Sequence, residues 1–251
     1  MEPSFDLVEF FHVRLLRGLS ERLRGRAWAL KGGVCLRLFH RSPRLSEDMD
    51  LDVDPRVGQQ AVAKAVDTVL ESAAFLAALA PRGVTALKLS RPKQIPTTQR
   101  WKVLMSLEGG GEAHTKVEFS RRRAVADATL GVPDPALLAA HHLPPFPSPH
   151  YGAREMARQK AEALASPSRN APRDLFDLHH LLTSEAAPAR EALAGLPRDL
   201  AEGALAKAAS FRLADMEAQV LPFLPADLAG LWRQPDAFLE MRRVVEKALK
   251  P

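Results

Sequence analysis

One cysteine, Cys35, stands among 251 residues, so no intrachain disulfide can form. No run approaches the roughly 18 consecutive apolar residues of a membrane span, and no membrane association is expected. The opening Met-Glu-Pro-Ser-Phe-Asp lacks the basic segment and apolar core of a secretion signal, which leads to the expectation of a cytoplasmic protein. Zinc-binding spacings are missing too: there is no Cys-x-x-Cys or His-x-x-x-His, and the neighbours His141 and His142, like His179 and His180, cannot converge on one ion. Nor is there an internal repeat, a low-complexity tract or a heptad run.

What remains is a chain with 46% apolar residues, enough for one good-sized core or two small ones, and one unit with two lobes is expected. Thirty-five Lys and Arg against 30 Asp and Glu give a formal charge of +5, which attracts polyanions without specifying one. Many prolines and an arginine- and alanine-rich wording fit either a GC-rich genome or heat adaptation.

The chemistry concentrates in residues 28–53. Trp28 to Lys31 reads as an apolar strand, Gly32-Gly33 as a turn, the next residues as one short helix, and Asp48 to Val53 as a second strand. Alternation puts Asp48, Asp50 and Asp52 on one strand face and Met49, Leu51 and Val53 on the other. Carboxylates a strand spacing apart repel unless a cation sits between them, and oxygen donors on a rigid strand suit Mg²⁺ or Mn²⁺. Glycines ahead of a helix leave backbone N–H groups open to a phosphate. The two features together suit a nucleoside triphosphate.

Elsewhere the pattern predicts an amphipathic helix over 5–23, then the basic Arg22, Arg24 and Arg26, which fit a solvated helix end or an RNA contact. It predicts a helix over 57–79 and strands at Val84–Leu89, Trp101–Leu107 and Thr115–Ser120, about five strands in a mixed sheet. On the last of these Lys116 and Glu118 share a face, either as a solvent-facing pair or with Glu118 as the third carboxylate of a two-metal site. Arg121 to Arg123 either receive phosphate or close an edge strand. Residues 131–150 are proline-dense and read as the boundary between lobes, with no inner strand and only a short helix near Ala136 to His142. From Ala153 the pattern is helical. Met156, Ala157, Ala161 and Leu164 face inward on one helix and Leu175, Leu178, Leu181 and Leu182 on the next, and three or four more helices follow over 188–250.

Two blocks carry a resemblance. The run Lys31-Gly32-Gly33, a short helix, then Arg44-Leu-Ser46-Glu47-Asp48-Met-Asp50 resembles the first motif of the nucleotidyltransferase superfamily in its AbiEii form, the toxin half of bacterial toxin–antitoxin and phage-defence pairs. Arg158-Gln-Lys160, Arg169 and then Arg173-Asp174-Leu-Phe-Asp177-Leu are similar to that family's later helices. The resemblance covers roughly residues 25–182 and implies an α+β fold. A nucleotidyltransferase-like mixed β-sheet domain would occupy 1–130, a proline-rich connection 131–150, and a helical domain 151–251.

It also implies a metal-dependent enzyme that transfers NMP from an NTP to an acceptor. That acceptor would be RNA, possibly a tRNA 3′ end, and a separate antitoxin protein would be the partner. In this reading Asp48, Asp50 and Glu118 hold Mg²⁺ or Mn²⁺, and Ser46-Glu47 selects that acidic register over Asp50 with Asp52. Lys31, Gly32, Gly33, Arg44, Ser46 and Arg173 meet the nucleotide, Lys160 neutralises the leaving pyrophosphate, and Asp174 orients Arg173, Lys160 or the acceptor. Asp177 could pair with Arg173. The family commonly has Ser or Thr directly after the glycines, where this chain has Val34 and Cys35, a departure that bears on triphosphate affinity and donor identity. A small-molecule (antibiotic or sugar) nucleotidyltransferase and an inactive nucleotide-binding relative are the alternatives.

Overall fold

The computed structural model describes residues 3–23 and 25–250; Met1, Glu2 and Arg24, which figure in the sequence reading, lie outside them. The chain divides into two compact units, residues 1–39 with 45–151, and residues 40–44 with 152–251.

The first unit is built on a seven-stranded mixed sheet. Helix α1 (Pro3–Arg22) leads to β1 (Trp28–Lys31), which passes directly into α2 (Gly32–Phe39). Strand β2 (Asp48–Val53) is followed by α3 (Gln59–Leu70), α4 (Ala73–Leu79) and the long strands β3 (Val84–Ile95), β4 (Thr98–Leu107) and β5 (Glu112–Ser120). Strand β6 (Ala128–Gly131), α5 (Pro135–Ala140) and β7 (Ser148–Tyr151) complete it. The spatial order is β3-β4-β5-β2-β1-β7-β6, with β2 parallel to β5 and β1 parallel to β7.

Period-two alternation decides which face is buried. Met49, Leu51, Trp101, Val103, Val117 and Phe119 are at most 1% exposed and form one side of the core; Phe11, Leu15 and Leu19 of α1 and Val62 and Val66 of α3 are buried with them. The Trp101 indole N–H donates to Asp67 on α3 at 2.8 Å, so the ring's polar atom is satisfied. The other face of β2, β4 and β5 carries the charged residues.

Four expectations about this unit need correcting. The helix over 57–79 is two helices, because Ser72 caps α4 by accepting from the Phe75 N–H at 3.1 Å. Strand β3 runs past Leu89 through Pro92, which is accommodated because β3 is an edge strand whose register shifts between Ser90 and Lys93. The proline-dense stretch does supply an inner strand: β7 lies between β1 and β6. Its one register partner on β1 is Leu30 opposite His150, so the proline at 149 is not asked for a hydrogen bond to β1. With β6 and β7 the sheet has seven strands, not about five.

The second unit is helical. It comprises α6 (Ala153–Ala165), α7 (Pro172–Ser184), α8 (Ala186–Ala194), α9 (Arg198–Ser210), α10 (Leu213–Gln219), α11 (Ala226–Trp232) and α12 (Pro235–Leu249), five helices after α7 where three or four were expected. The inward residues of α6 and α7 are as the spacing predicts, each at most 2% exposed.

Candidate active site

Strand register sets the candidate site. One line of side chains crosses four strands: Lys31 lies opposite Asp50, Asp50 opposite Glu118, and Glu118 opposite Arg100. One pleat earlier, Asp48 lies opposite Lys116 and Lys116 opposite Lys102; one pleat later, Asp52 lies opposite Ser120. Asp48, Asp50 and Glu118 thus share one sheet face.

Each carboxylate faces a cation. The Lys116 ammonium is 2.7 Å from Asp48, and the Arg100 guanidinium donates to Glu118 Oε2 at 2.7 Å. Asp50 is pushed above the usual carboxylate range by burial, reinforced by Asp48 and Glu118, although Lys31 and Lys116 pull it the other way. Asp52 differs from its neighbours. It is buried, takes an ion pair from Lys31 and accepts from the Tyr151 hydroxyl at 3.1 Å. Asp48 and Asp50 are therefore the two acidic residues of β2 that an outside ligand can reach.

Gly32 begins α2 with φ +71°, and a Cβ placed there would lie 3.1 Å from Asp50 Oδ2. Only glycine combines that backbone with so close an approach of the carboxylate. The first N–H groups of α2 have no partner within the helix, as at any helix start, and they open beside Asp50. Ser46 does not point a free hydroxyl at this place; its Oγ donates to the Asp48 carbonyl at 3.1 Å and shapes the turn into β2.

The donors fit a hard divalent cation in kind: carboxylate oxygens, on one face, already concentrating positive counter-charge. Among the described residues no three His, Cys, Asp or Glu side chains converge on a point as metal ligands, and Glu118 is turned to Arg100. Asp48 and Asp50 are the pair that would hold such an ion, with Glu118 adding charge from the next strand.

The second block of sequence builds a buried charge cluster within the helical unit. Arg44 donates from two nitrogens to Asp177, each at 2.8 Å, and Lys160 bridges Asp177 at 2.7 Å and Asp174 at 2.9 Å. Arg169 also donates to Asp174, at 2.5 Å. Burial raises the carboxyls of Asp174 and Asp177, yet the cations outweigh it and hold both below the usual range; burial works against the charge on Lys160, and the two carboxylates outweigh that as well. Lys160 was expected to reach out as a flexible charge, but its ammonium is enclosed between two carboxylates. Asp177 pairs with Arg44 and Lys160, not with Arg173, which is exposed in the first turn of α7.

The family model described as "Nucleotidyl transferase AbiEii toxin, Type IV TA system" matches residues 14–242. The chain belongs to the AbiEii nucleotidyltransferase toxin family. No curated protein matches it. Solved structures share the fold of this AbiEii chain, two of them as follows. JHP933 from Helicobacter pylori is 20% identical, with 96% of this chain and 93% of that chain covered and a TM-score of 0.57. MenT4, titled a nucleotidyltransferase toxin from Mycobacterium tuberculosis H37Rv, is 17% identical, with 99% and 84% covered and a TM-score of 0.62. Membership of the AbiEii family brings nucleotidyl transfer, an NTP substrate and a type IV antitoxin partner. No helix among the described residues is long and apolar enough to cross a membrane.

In this AbiEii chain the residue after the glycines, Val34, is buried at 3% exposure and Cys35 is fully buried. The start of α2 therefore offers backbone N–H groups without a neighbouring hydroxyl. Sequence reasoning missed Arg100 and Tyr151, the pairing of Lys116 with Asp48, and the role of Arg169. Strand pairing selects the first three, and no local pattern announces it; Arg169 was legible only as a member of the second block.

Proposed function

We propose that the chain transfers NMP from an NTP to a hydroxyl of an RNA acceptor, a tRNA 3′ end, using Mg²⁺ or Mn²⁺ held by Asp48 and Asp50. The carrying observation is the line Lys31, Asp50, Glu118 and Arg100 beside Gly32. The acceptor oxygen attacks the α-phosphorus, the bond from that phosphorus to the oxygen bridging the β-phosphate breaks, and pyrophosphate leaves. The hydroxyl proton passes to Glu118, which faces Asp50 across the β2–β5 ladder. A bound divalent ion would lower the pKa of the attacking hydroxyl and offset charge on the phosphates.

Within the chain, Gly32 and Gly33 admit the triphosphate to the N–H groups of α2, and Lys31 contributes charge at the end of β1. Arg173, exposed at α7, is the cation of the second block open to an anion. Arg44, Lys160 and Asp174, together with Asp177, fasten residues 40–44 to α6 and α7 within the helical unit. Such a reaction draws on cytoplasmic NTP and RNA, and a cytoplasmic location goes with it.

The test is to incubate purified protein with labelled NTPs, Mg²⁺ or Mn²⁺ and a pool of RNA. The wild type should label RNA and the Asp50→Asn variant should not. Equal labelling by both would sink the reading.

A further inference from the structure

On the same sheet face as Asp48, strands β3, β4 and β5 floor a cavity of about 540 Å³. Two rows of the ladder line it. The first runs Ser90, Lys102, Lys116, Asp48, and the second runs Lys88, Leu104, His114. Glu47 stands beside Asp48 at the acidic end. Lys102 and Lys116 are direct cross-strand neighbours, an arrangement of like charges that destabilises a sheet unless an anion offsets it. Lys116 has Asp48; Lys88 and Lys102 are exposed and form no ion pair among the described residues.

A groove with three lysines, a histidine and one apolar patch at Leu104, ending at a carboxylate assigned to the reaction, matches a short polyanion whose end is presented to that carboxylate. Its volume lies within the roughly 300–1,000 Å³ of small-ligand pockets, so it takes a nucleotide or two of a strand and not a duplex. A cationic acceptor such as an aminoglycoside would be repelled by it. We propose that this groove binds the phosphodiester backbone of the acceptor's single-stranded end, Lys88, Lys102 and His114 meeting phosphates and Leu104 lying under a base or ribose. The inference rests on the nucleotidyl-transfer reading and adds to it the place and chemistry of acceptor binding.

The experiment measures binding of a fluorescein-labelled single-stranded RNA by anisotropy over a range of salt. It uses the full chain, a Lys88→Ala/Lys102→Ala double variant and a Lys247→Ala/Lys250→Ala control at the C-terminal end of α12. Each lost phosphate contact should weaken binding roughly tenfold and lower the log–log salt slope by about 0.7 for a single strand. The groove variant should therefore lose about a hundredfold in affinity, while the control keeps its RNA affinity, the groove variant still binds a fluorescent NTP analogue, and its thermal melt does not fall, since removing Lys102 relieves the repulsion with Lys116. Unchanged RNA affinity and slope in the groove variant would overturn the inference. So would loss of NTP-analogue binding along with RNA, because the groove would then serve the donor, or equally tight binding of a polyglutamate peptide by the wild type. The two readings fail separately. If the wild type binds RNA through the groove but transfers no label, the transfer reading falls; if it transfers label while the groove variant keeps the same KM for RNA, the groove falls.

Discussion

Replacing Asp177 by alanine removes the carboxylate that two buried cations share. Arg44 and Lys160 have side chains 5% and 9% exposed and Asp177 is fully buried, so water cannot take over the lost partner without opening the helical unit. Lys160 keeps Asp174, but Arg44 loses both of its 2.8 Å bonds to Asp177. Removing one member of a buried pair costs about 3–5 kcal/mol, because a desolvated charge is left behind, whereas an exposed pair is worth about 0–1 kcal/mol. Against a typical total stability of about 5–15 kcal/mol, this is a large fraction. In urea, where slopes run about 1–3 kcal/mol per molar, the midpoint should fall by at least about 1 M. Replacing the pair together, as Arg44→Met with Asp177→Leu, should cost much less than the two single changes added, since both charges of the pair are removed at once. A loss under about 1 kcal/mol for Asp177→Ala, or strict additivity in the double variant, would refute the claim that these charges hold the unit together.

Gly32→Ala should cost about 1–2 kcal/mol for a side chain in the left-handed region and should weaken NTP-analogue binding by crowding Asp50; isothermal titration with unchanged affinity would count against the placement of the triphosphate. His12 offers a pH test. Burial lowers its pKa from about 6.5 to about 4, outweighing the pull of Asp48, and its ring bonds Thr115 Oγ1 at 2.7 Å. The unfolded chain therefore binds the extra proton first, so His12's contribution is full above pH 6.5 and is lost as pH falls toward 4, amounting to about 2 kcal/mol by pH 5. Glu9, Asp174 and Asp177, held below the usual carboxylate range by their cationic partners, lose their contributions only below about pH 4. His179 is lowered by burial to about 4 as well, so urea unfolding from pH 7.5 to 5 should show both slopes in the wild type and a slope reduced by His12's share in His12→Gln; an equal slope in wild type and variant would contradict the assignment.

The parts legible in the sequence were those written by local periodicity. The Trp28 to Val53 run gave strand, glycine turn, helix and acidic strand because alternation and a Gly-Gly pair act over a few residues. Strands β6 and β7 went unseen for the opposite reason. They are four residues each, one carries Pro149, and β6 pairs with β7, which itself joins the sheet through β1, more than a hundred residues earlier in the chain. The site divides in the same way. Asp48 and Asp50 could be read from spacing, but their counter-charges Lys116 and Arg100 come from strands whose register is set by the buried Trp101, Val117 and Phe119 on the opposite face.

Lys160 shows how a local cue misleads when the partner is distant. Alanines at 157 and 161 leave room around a lysine, and room reads as reach, but on a buried helix face the same room admits a neighbouring helix. What fills it here is α7, bringing Asp174 and Asp177, three residues apart and so on one face, to a single ammonium. A charge buried this way cannot be traded for another partner without the cost already assigned to Asp177. A direct role for Lys160 at the phosphates would thus require the cluster to open. Arg173, one residue before Asp174 and exposed, is available to an anion with no such opening, which makes it the more economical cation of the second block.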